Sequence, residues 1–132
     1  MSIDVLIEHV RQAVPDLIAL YRFGSQAQGT ATPESDVDLA LLAHCPLSLA
    51  VLFDLQQQLA ALLHKDVDLV DLRSASTVLR MQVVSTGECL VSANEQNREE
   101  FEARALSAYA RLNEERRGIL EDVRTRGSVY GR

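Results

Sequence analysis

The stretch that decides the fold is FGSQAQGTATPESDVDLALL, residues 23–42. It opens with a Gly-Ser pair at the end of an apolar segment, and it closes with an aliphatic run at 37–42 that predicts a buried strand. Aspartates nevertheless occupy positions 36 and 38, at the start of that strand. Carboxylates beside a hydrophobic strand repel each other and lose hydration, so a ligand that compensates for their charge is expected.

The patterns on either side of this stretch predict an α/β (α+β) fold, in which a small mixed β-sheet is flanked by helices. Predicted strands lie at 17–23, 37–43, 66–72 and 88–92, and predicted helices lie at 3–13, 47–63, 74–85 and 94–126. A short helical turn is expected at 26–29 and a loop at 30–35. The last helix is long and highly charged, with a break allowed near Gly118. The whole chain, 1–132, is expected to be one domain, with its core at about 1–92 and a helical segment at about 94–126.

Composition narrows the class of protein. The chain has 132 residues, 47% hydrophobic and 24% charged, and a net charge of −6 that argues against nucleic-acid phosphates as its main ligand. No apolar run reaches the roughly 20 residues that cross a bilayer, and the N-terminus lacks a secretion signal, so a cytoplasmic location is expected. Cys45 and Cys89 are expected to be reduced, buried, small apolar side chains.

The two aspartates have the spacing of a metal site. Residues two apart on a strand point to the same face, so Asp36 and Asp38 should converge. Magnesium takes oxygen ligands and binds through one or two carboxylates together with substrate phosphates. Asp68 is the natural third ligand if its strand lies beside 37–43, and three carboxylates can hold the two metal ions of a phosphoryl-transfer site. Asp66 lies on the same face but begins its strand, and Asp71 should face the other way, so the choice of third carboxylate stays open.

Gly24 and Ser25 supply the complementary half of such a site. A glycine after a strand lets the backbone approach a phosphate closely. The backbone N–H groups that follow, together with the Ser25 hydroxyl, can donate to phosphate oxygens. The stretch therefore offers donors for a triphosphate and acids for its metal ions.

Gly24-Ser25, ten intervening residues and then Asp36-Val37-Asp38 resemble the GS-x10-DxD signature of nucleotidyltransferases of the DNA polymerase β superfamily. The run GSQAQGTATPESDVDL is similar to the minimal nucleotidyltransferase (MNT) family in particular. The resemblance implies a polymerase β-like fold and transfer of a nucleoside monophosphate from ATP or another triphosphate with Mg²⁺, as two ions. It also implies that Asp36 and Asp38 hold metal, that Gly24 and Ser25 bind the triphosphate, and that Asp68 helps to activate the acceptor hydroxyl.

The same resemblance suggests the acceptor. Many MNT proteins are antitoxins paired with HEPN-domain ribonuclease toxins, and they AMPylate a tyrosine of the toxin. The toxin signature Arg-x4–6-His is absent from this chain, which would therefore be the antitoxin. Two alternatives stay open: a small-molecule nucleotidyltransferase of the aminoglycoside type, and an antitoxin that acts by binding alone.

The C-terminal helix allows two interpretations. Its apolar positions could pack on the sheet as a solvated cap. Alternatively, Phe101, Tyr109, Leu112 and Ile119 could dock a partner protein or a second copy of the chain. Arg73, which follows the third strand, is expected to be a solvated neighbour of the acidic residues.

Overall fold

The computed structural model describes residues 3–24 and 36–125, and it describes side chains up to 120. The described residues form four helices and four strands. The elements are α1 Ile3–Ala13, β1 Leu17–Phe23, β2 Val37–Ala43, α2 Leu49–Leu63, β3 Val67–Asp71, α3 Thr77–Thr86, β4 Glu88–Ser92 and α4 Glu95–Thr125. The predicted turn at 26–29, the predicted loop at 30–35 and Ser25 lie outside the described residues.

The four strands form one mixed sheet in the order β3-β2-β1-β4. The central strand β1 is antiparallel to β2 and β4, while β2 and β3 are parallel. Parallel pairing requires a crossover, and α2 supplies it between β2 and β3. This topology places the end of β1 and the starts of β2 and β3 at the same edge of the sheet.

Two apolar layers cover the two faces of the sheet. On one face, α1 and α2 pack on alternate residues of the strands, and Val10, Leu55 and Leu59 are buried there with Leu39. On the other face, α3 and α4 pack through Val83 and Phe101. Asp38 alternates with Leu39 along β2 and therefore points to the face covered by α3 and α4.

Serine caps begin two of the helices. Ser48 and Ser76 are extended, and their hydroxyls accept hydrogen bonds from the backbone N–H groups of Val51 and Leu79. The predicted helices 47–63 and 74–85 therefore start two to three residues late, at Leu49 and Thr77, because each serine competes for the helical backbone donors. At its other end, α3 stops at Gly87, as the sequence predicts.

The C-terminal helix α4 runs from Glu95 to Thr125 without interruption. The break allowed near Gly118 is absent, since an exposed glycine weakens a helix by only about 1 kcal/mol relative to alanine. Only the first part of α4 packs on the sheet. Phe101 and Ala105 are buried, whereas residues 114–120 are exposed.

The prediction that the cysteines are buried was wrong, whereas their free state agrees with the prediction that they are reduced. Cys45 and Cys89 are both free and exposed. Cys45 lies in the connection after β2, and Cys89 lies on β4, which is an edge strand with a neighbour on one side only. Among the described residues, no helix is long and apolar enough to cross a membrane.

Candidate active site

The glycine at the end of β1 has a backbone that few other residues can adopt. Gly24 has a φ of +72°, in the left-handed region. A Cβ at this position would overlap the carboxylate of Asp38, which lies directly against the glycine. The turn after β1 therefore needs a glycine twice over, once for its backbone angle and once to leave room for the acid.

The strand register brings two of the predicted acids together. Asp38 pairs with Asp68 across the parallel strands β2 and β3, and it pairs with Phe23 across the antiparallel strands β1 and β2. Side chains at paired positions of neighbouring strands lie on the same face. Asp36 is exposed and immediately precedes β2, where the N–H group of Val37 donates to the carbonyl of Asp66.

Asp38 is the least hydrated of these three acids. Partial burial raises the pKa of Asp38 above its ordinary value, and repulsion from the carboxylates of Asp68 and Asp36 raises it further. Asp36 and Asp68 are both exposed. The three carboxylates are therefore close enough to repel one another, and ionisation is least favourable at Asp38.

A dication would relieve this repulsion. Among the described residues, no group of three or more His, Cys, Asp or Glu side chains already forms a metal-binding cluster. The donor set still suits Mg²⁺, because carboxylate oxygens are its preferred protein ligands and substrate phosphates commonly complete its shell. The residues present thus have the chemistry that suits a magnesium site.

The other two acids of the β3 region lie in different surroundings. Asp71 is buried, and its carboxylate accepts hydrogen bonds from the N–H groups of Leu47 and Arg73 at 2.8 and 3.0 Å. Its register partner is Leu41, on the opposite face from Asp38, so Asp71 faces the other way as predicted. Asp66 is exposed and precedes the first residue of β3. The strand pairing therefore favours Asp68 as the neighbour of Asp38.

A buried polar link between β1 and α4 was not predicted from the sequence. The Tyr21 hydroxyl donates to the Glu102 carboxylate at 2.7 Å, and burial together with the charge of Glu102 raises the pKa of Tyr21. Arg98 binds both oxygens of Glu102 at 3.0 and 3.1 Å, donates to Ser92 at 2.9 Å and pairs with Glu95. This link ties α4 to β1, the strand that immediately precedes Gly24.

The interpretation of Phe101 as a docking residue was wrong. Phe101 is buried in the apolar layer between the sheet and α3. The guanidinium groups of Arg73 and Arg80 lie over its ring, at 5.6 and 5.4 Å from the ring centroid. Arg73 is half-buried rather than a solvated neighbour of the acidic residues.

The sequence matches the family described as "Polymerase beta, Nucleotidyltransferase" over residues 6–96. This match spans the whole sheet and the candidate site. The chain belongs to this nucleotidyltransferase family.

Known relatives of this nucleotidyltransferase resemble it along most of its length. It is 45% identical over 118 residues to the protein adenylyltransferase MntA of Shewanella oneidensis, an alignment that covers 89% of this chain and 84% of the relative. It also resembles a chain in the crystal structure of a toxin–antitoxin with AMP-PNP, with a TM-score of 0.84, 43% identity, and coverage of 93% of this chain and 98% of that one.

A further solved structure contains the tri-AMPylated HEPN toxin of Shewanella oneidensis in complex with an MNT antitoxin. Its matching chain is 41% identical, has a TM-score of 0.76, and the match covers 91% of this chain and 93% of that chain. The predicted fold, with its mixed sheet and long C-terminal helix, is confirmed.

Proposed function

We propose that this nucleotidyltransferase is a magnesium-dependent antitoxin that transfers AMP from ATP to a tyrosine of its cognate HEPN ribonuclease toxin, and so neutralises the toxin. The observation that carries the proposal is the convergence of Asp38, Asp68 and Asp36 beside the left-handed turn at Gly24. The relative named as a protein adenylyltransferase, and the AMPylated toxin found with an MNT antitoxin, support the choice of nucleotide and acceptor.

The proposal gives each acid and each donor a role. Asp36, Asp38 and Asp68 hold Mg²⁺, as two ions, and Gly24 and Ser25 bind the triphosphate. Bound magnesium supplies positive charge beside the reacting phosphate oxygens. The close contact between Gly24 and Asp38 brings the phosphate-binding turn and the metal-binding acids to one edge of the sheet.

The proposed reaction is a substitution at the α-phosphorus of ATP. The tyrosine oxygen of the toxin forms a bond to this phosphorus, the bond between the α-phosphorus and the bridging oxygen breaks, and pyrophosphate leaves. The phenol proton passes to Asp68, which is exposed and can reach an acceptor held against the edge of the sheet. We further propose that the reaction takes place in the cytoplasm and that residues 1–132 act as a single domain.

A growth assay separates the enzymatic antitoxin from one that acts by binding alone. Cells would express the cognate toxin together with either the wild-type chain or the Asp36→Asn, Asp38→Asn double variant. We expect the wild-type chain to restore growth and the double variant to fail, although it still co-purifies with the toxin. A matched variant with Asp16→Asn and Asp54→Asn, two exposed acids outside the site, should protect as well as the wild type. Full protection by the site variant would show neutralisation by contact alone.

A further inference from the structure

Two half-buried arginines surround one aromatic ring at the edge of the sheet that lies opposite the candidate active site. Arg73 donates from Nε to the carbonyl of Ala43 at 2.8 Å. Arg80 donates from Nε to the carbonyl of Leu72 at 2.7 Å and from Nη2 to the carbonyl of Arg73 at 2.7 Å. Both guanidinium groups lie over Phe101. The arginines are thus held in place by backbone carbonyls and an aromatic face.

Among the side chains that the structure describes, no carboxylate forms an ion pair with Arg73, Arg80 or Arg104. Partial burial makes an unpaired charge costly, and the carbonyl bonds and ring contacts only offset part of that cost. An unneutralised cluster of this kind is unexpected in a chain with a net charge of −6.

Arg73 and Phe101 of this cluster line a small cavity. The cavity has a volume of about 110 Å³ and is lined by His44, Arg73, Asn97, Glu100, Phe101 and Arg104. Glu100 is the only acid in this lining, against two arginines and a histidine. Arg73 uses only its Nε for a hydrogen bond within the described part of the chain, so both Nη atoms can donate to a ligand, and Asn97 adds an amide near the start of α4. Such a volume holds one oxyanion but not a nucleotide.

We propose that this cavity binds an oxyanion, a phosphate or a carboxylate, between Arg73 and Arg104. The planar guanidinium of Arg73 is oriented before binding, so it can donate two parallel hydrogen bonds to such a group. The cavity lies about 17–20 Å from the acids of the candidate active site, since His44 is six positions after Asp38 and Arg73 is five positions after Asp68, at about 3.3 Å per residue along a strand. It is therefore a second site, separate from the triphosphate site.

The test uses inorganic phosphate and the full chain. The Nε–H signal of Arg73 in a nitrogen-15 correlation spectrum reports on the cavity directly, because Arg73 lines the cavity and its Nε is held by a backbone carbonyl. We expect phosphate to shift the Arg73 signal in a saturable way, with an apparent affinity at least fivefold weaker in Arg104→Gln. Arg117→Gln is the matched control, an exposed arginine on the same helix outside the cavity, and it should behave as the wild type.

A second measurement, the affinity of the variants for the cognate toxin, identifies the source of the anion. If phosphate leaves the Arg73 signal unchanged but Arg104→Gln weakens the complex with the cognate toxin at least tenfold and Arg117→Gln does not, the anion is a carboxylate of the partner. Because Arg104 is exposed, its replacement should leave the melting temperature of the free chain unchanged. The proposal is overturned if phosphate causes no saturable shift and the two variants bind the toxin equally well.

Discussion

At the scale of single residues, the contact between Gly24 and Asp38 joins the two halves of the site. The glycine adopts a backbone angle of +72°, and the acid occupies the space that a Cβ would fill. The sequence predicts both residues as functional, because a Gly-Ser pair after one strand rarely occurs together with an Asp-x-Asp pair at the start of the next strand. Their direct contact could not be predicted, since ten residues of chain separate the two pairs.

Replacing Gly24 by alanine should therefore destabilise the protein and abolish AMP transfer. The left-handed backbone costs a residue with a Cβ about 1–2 kcal/mol, and overlap with Asp38 adds to that cost. Urea unfolding measures the loss. Gly118→Ala is the control, because Gly118 lies in α4 with open space around it, and its replacement should leave stability unchanged or raise it by up to about 1 kcal/mol. Equal stability of the two variants would contradict the geometry at Gly24.

Without metal at neutral pH, the ionised Asp38 should make the wild type less stable than a variant with a neutral side chain at this position. Partial burial and the neighbouring acids raise its folded-state pKa above the ordinary value of 3.8. The native state therefore holds more protons than the unfolded state between these two pKa values, and the penalty disappears as pH falls through that window. Asp38→Asn should gain about 0.5 kcal/mol or less at neutral pH in a chelator, and this gain should vanish in acid.

Bound magnesium should make the wild type more stable than Asp38→Asn, the reverse of the order expected without metal. Added Mg²⁺ with a non-hydrolysable ATP analogue should raise the melting temperature of the wild type, because the ligand binds only the folded state. The same addition should leave Asp38→Asn nearly unchanged, while an Asp16→Asn control follows the wild type. A lower stability of Asp38→Asn than of the wild type at neutral pH without metal would refute the repulsion among the acids.

At the scale of the elements, the strands follow their sequence patterns closely. Alternating charge and aliphatic residues predict β3, and the parity of that alternation places Asp68 and Asp71 on opposite faces, as the structure confirms. The predicted first residues of α2 and α3 were less accurate, because the capping serines set where these helices begin. The exposure of Cys89 was missed, since the pattern of a strand does not reveal whether it lies at the edge of the sheet.

The anchoring of α4 was beyond prediction, because Tyr21 and Glu102 are 81 residues apart. Tyr21→Phe should cost about 1.5–3 kcal/mol of unfolding free energy, the usual value of a hydrogen bond to a charged group. It should also speed amide hydrogen exchange in the first turns of α4, which Arg98 and Glu102 occupy. Tyr109→Phe, further along the same helix, is the control and should change neither quantity. Unchanged exchange in α4 would show that apolar packing alone holds the helix.

At the scale of the whole molecule, α4 divides into a packed half and an exposed half. Phe101 and Ala105 belong to the core, whereas Ile119 is 63% exposed. The apolar stripe in the sequence does not show where the sheet ends, and for this reason Phe101 was assigned to the wrong half. Leu112 and Ile119 stay available as docking residues.

The double variant Leu112→Ala, Ile119→Ala should weaken the complex with the cognate toxin about tenfold or more, because truncation of apolar anchors at an interface costs about 1–2 kcal/mol each. Light scattering would give the mass of the complex, and titration would give its affinity. Leu106→Ala, an exposed leucine of the same helix outside the stripe, should have no effect. An unchanged complex mass and affinity in the double variant would remove the exposed half of α4 from the interface.

The most direct test of the central claim is the intact mass of the cognate toxin after incubation of the complex with ATP and Mg²⁺. We predict a gain of one or more AMP units on the toxin. The gain should be lost in the Asp36→Asn, Asp38→Asn variant and in Asp68→Asn, and kept in Asp66→Asn. An unmodified toxin in a stable wild-type complex, or a modified toxin in the double variant, would contradict the assignment of these carboxylates as the site of AMP transfer.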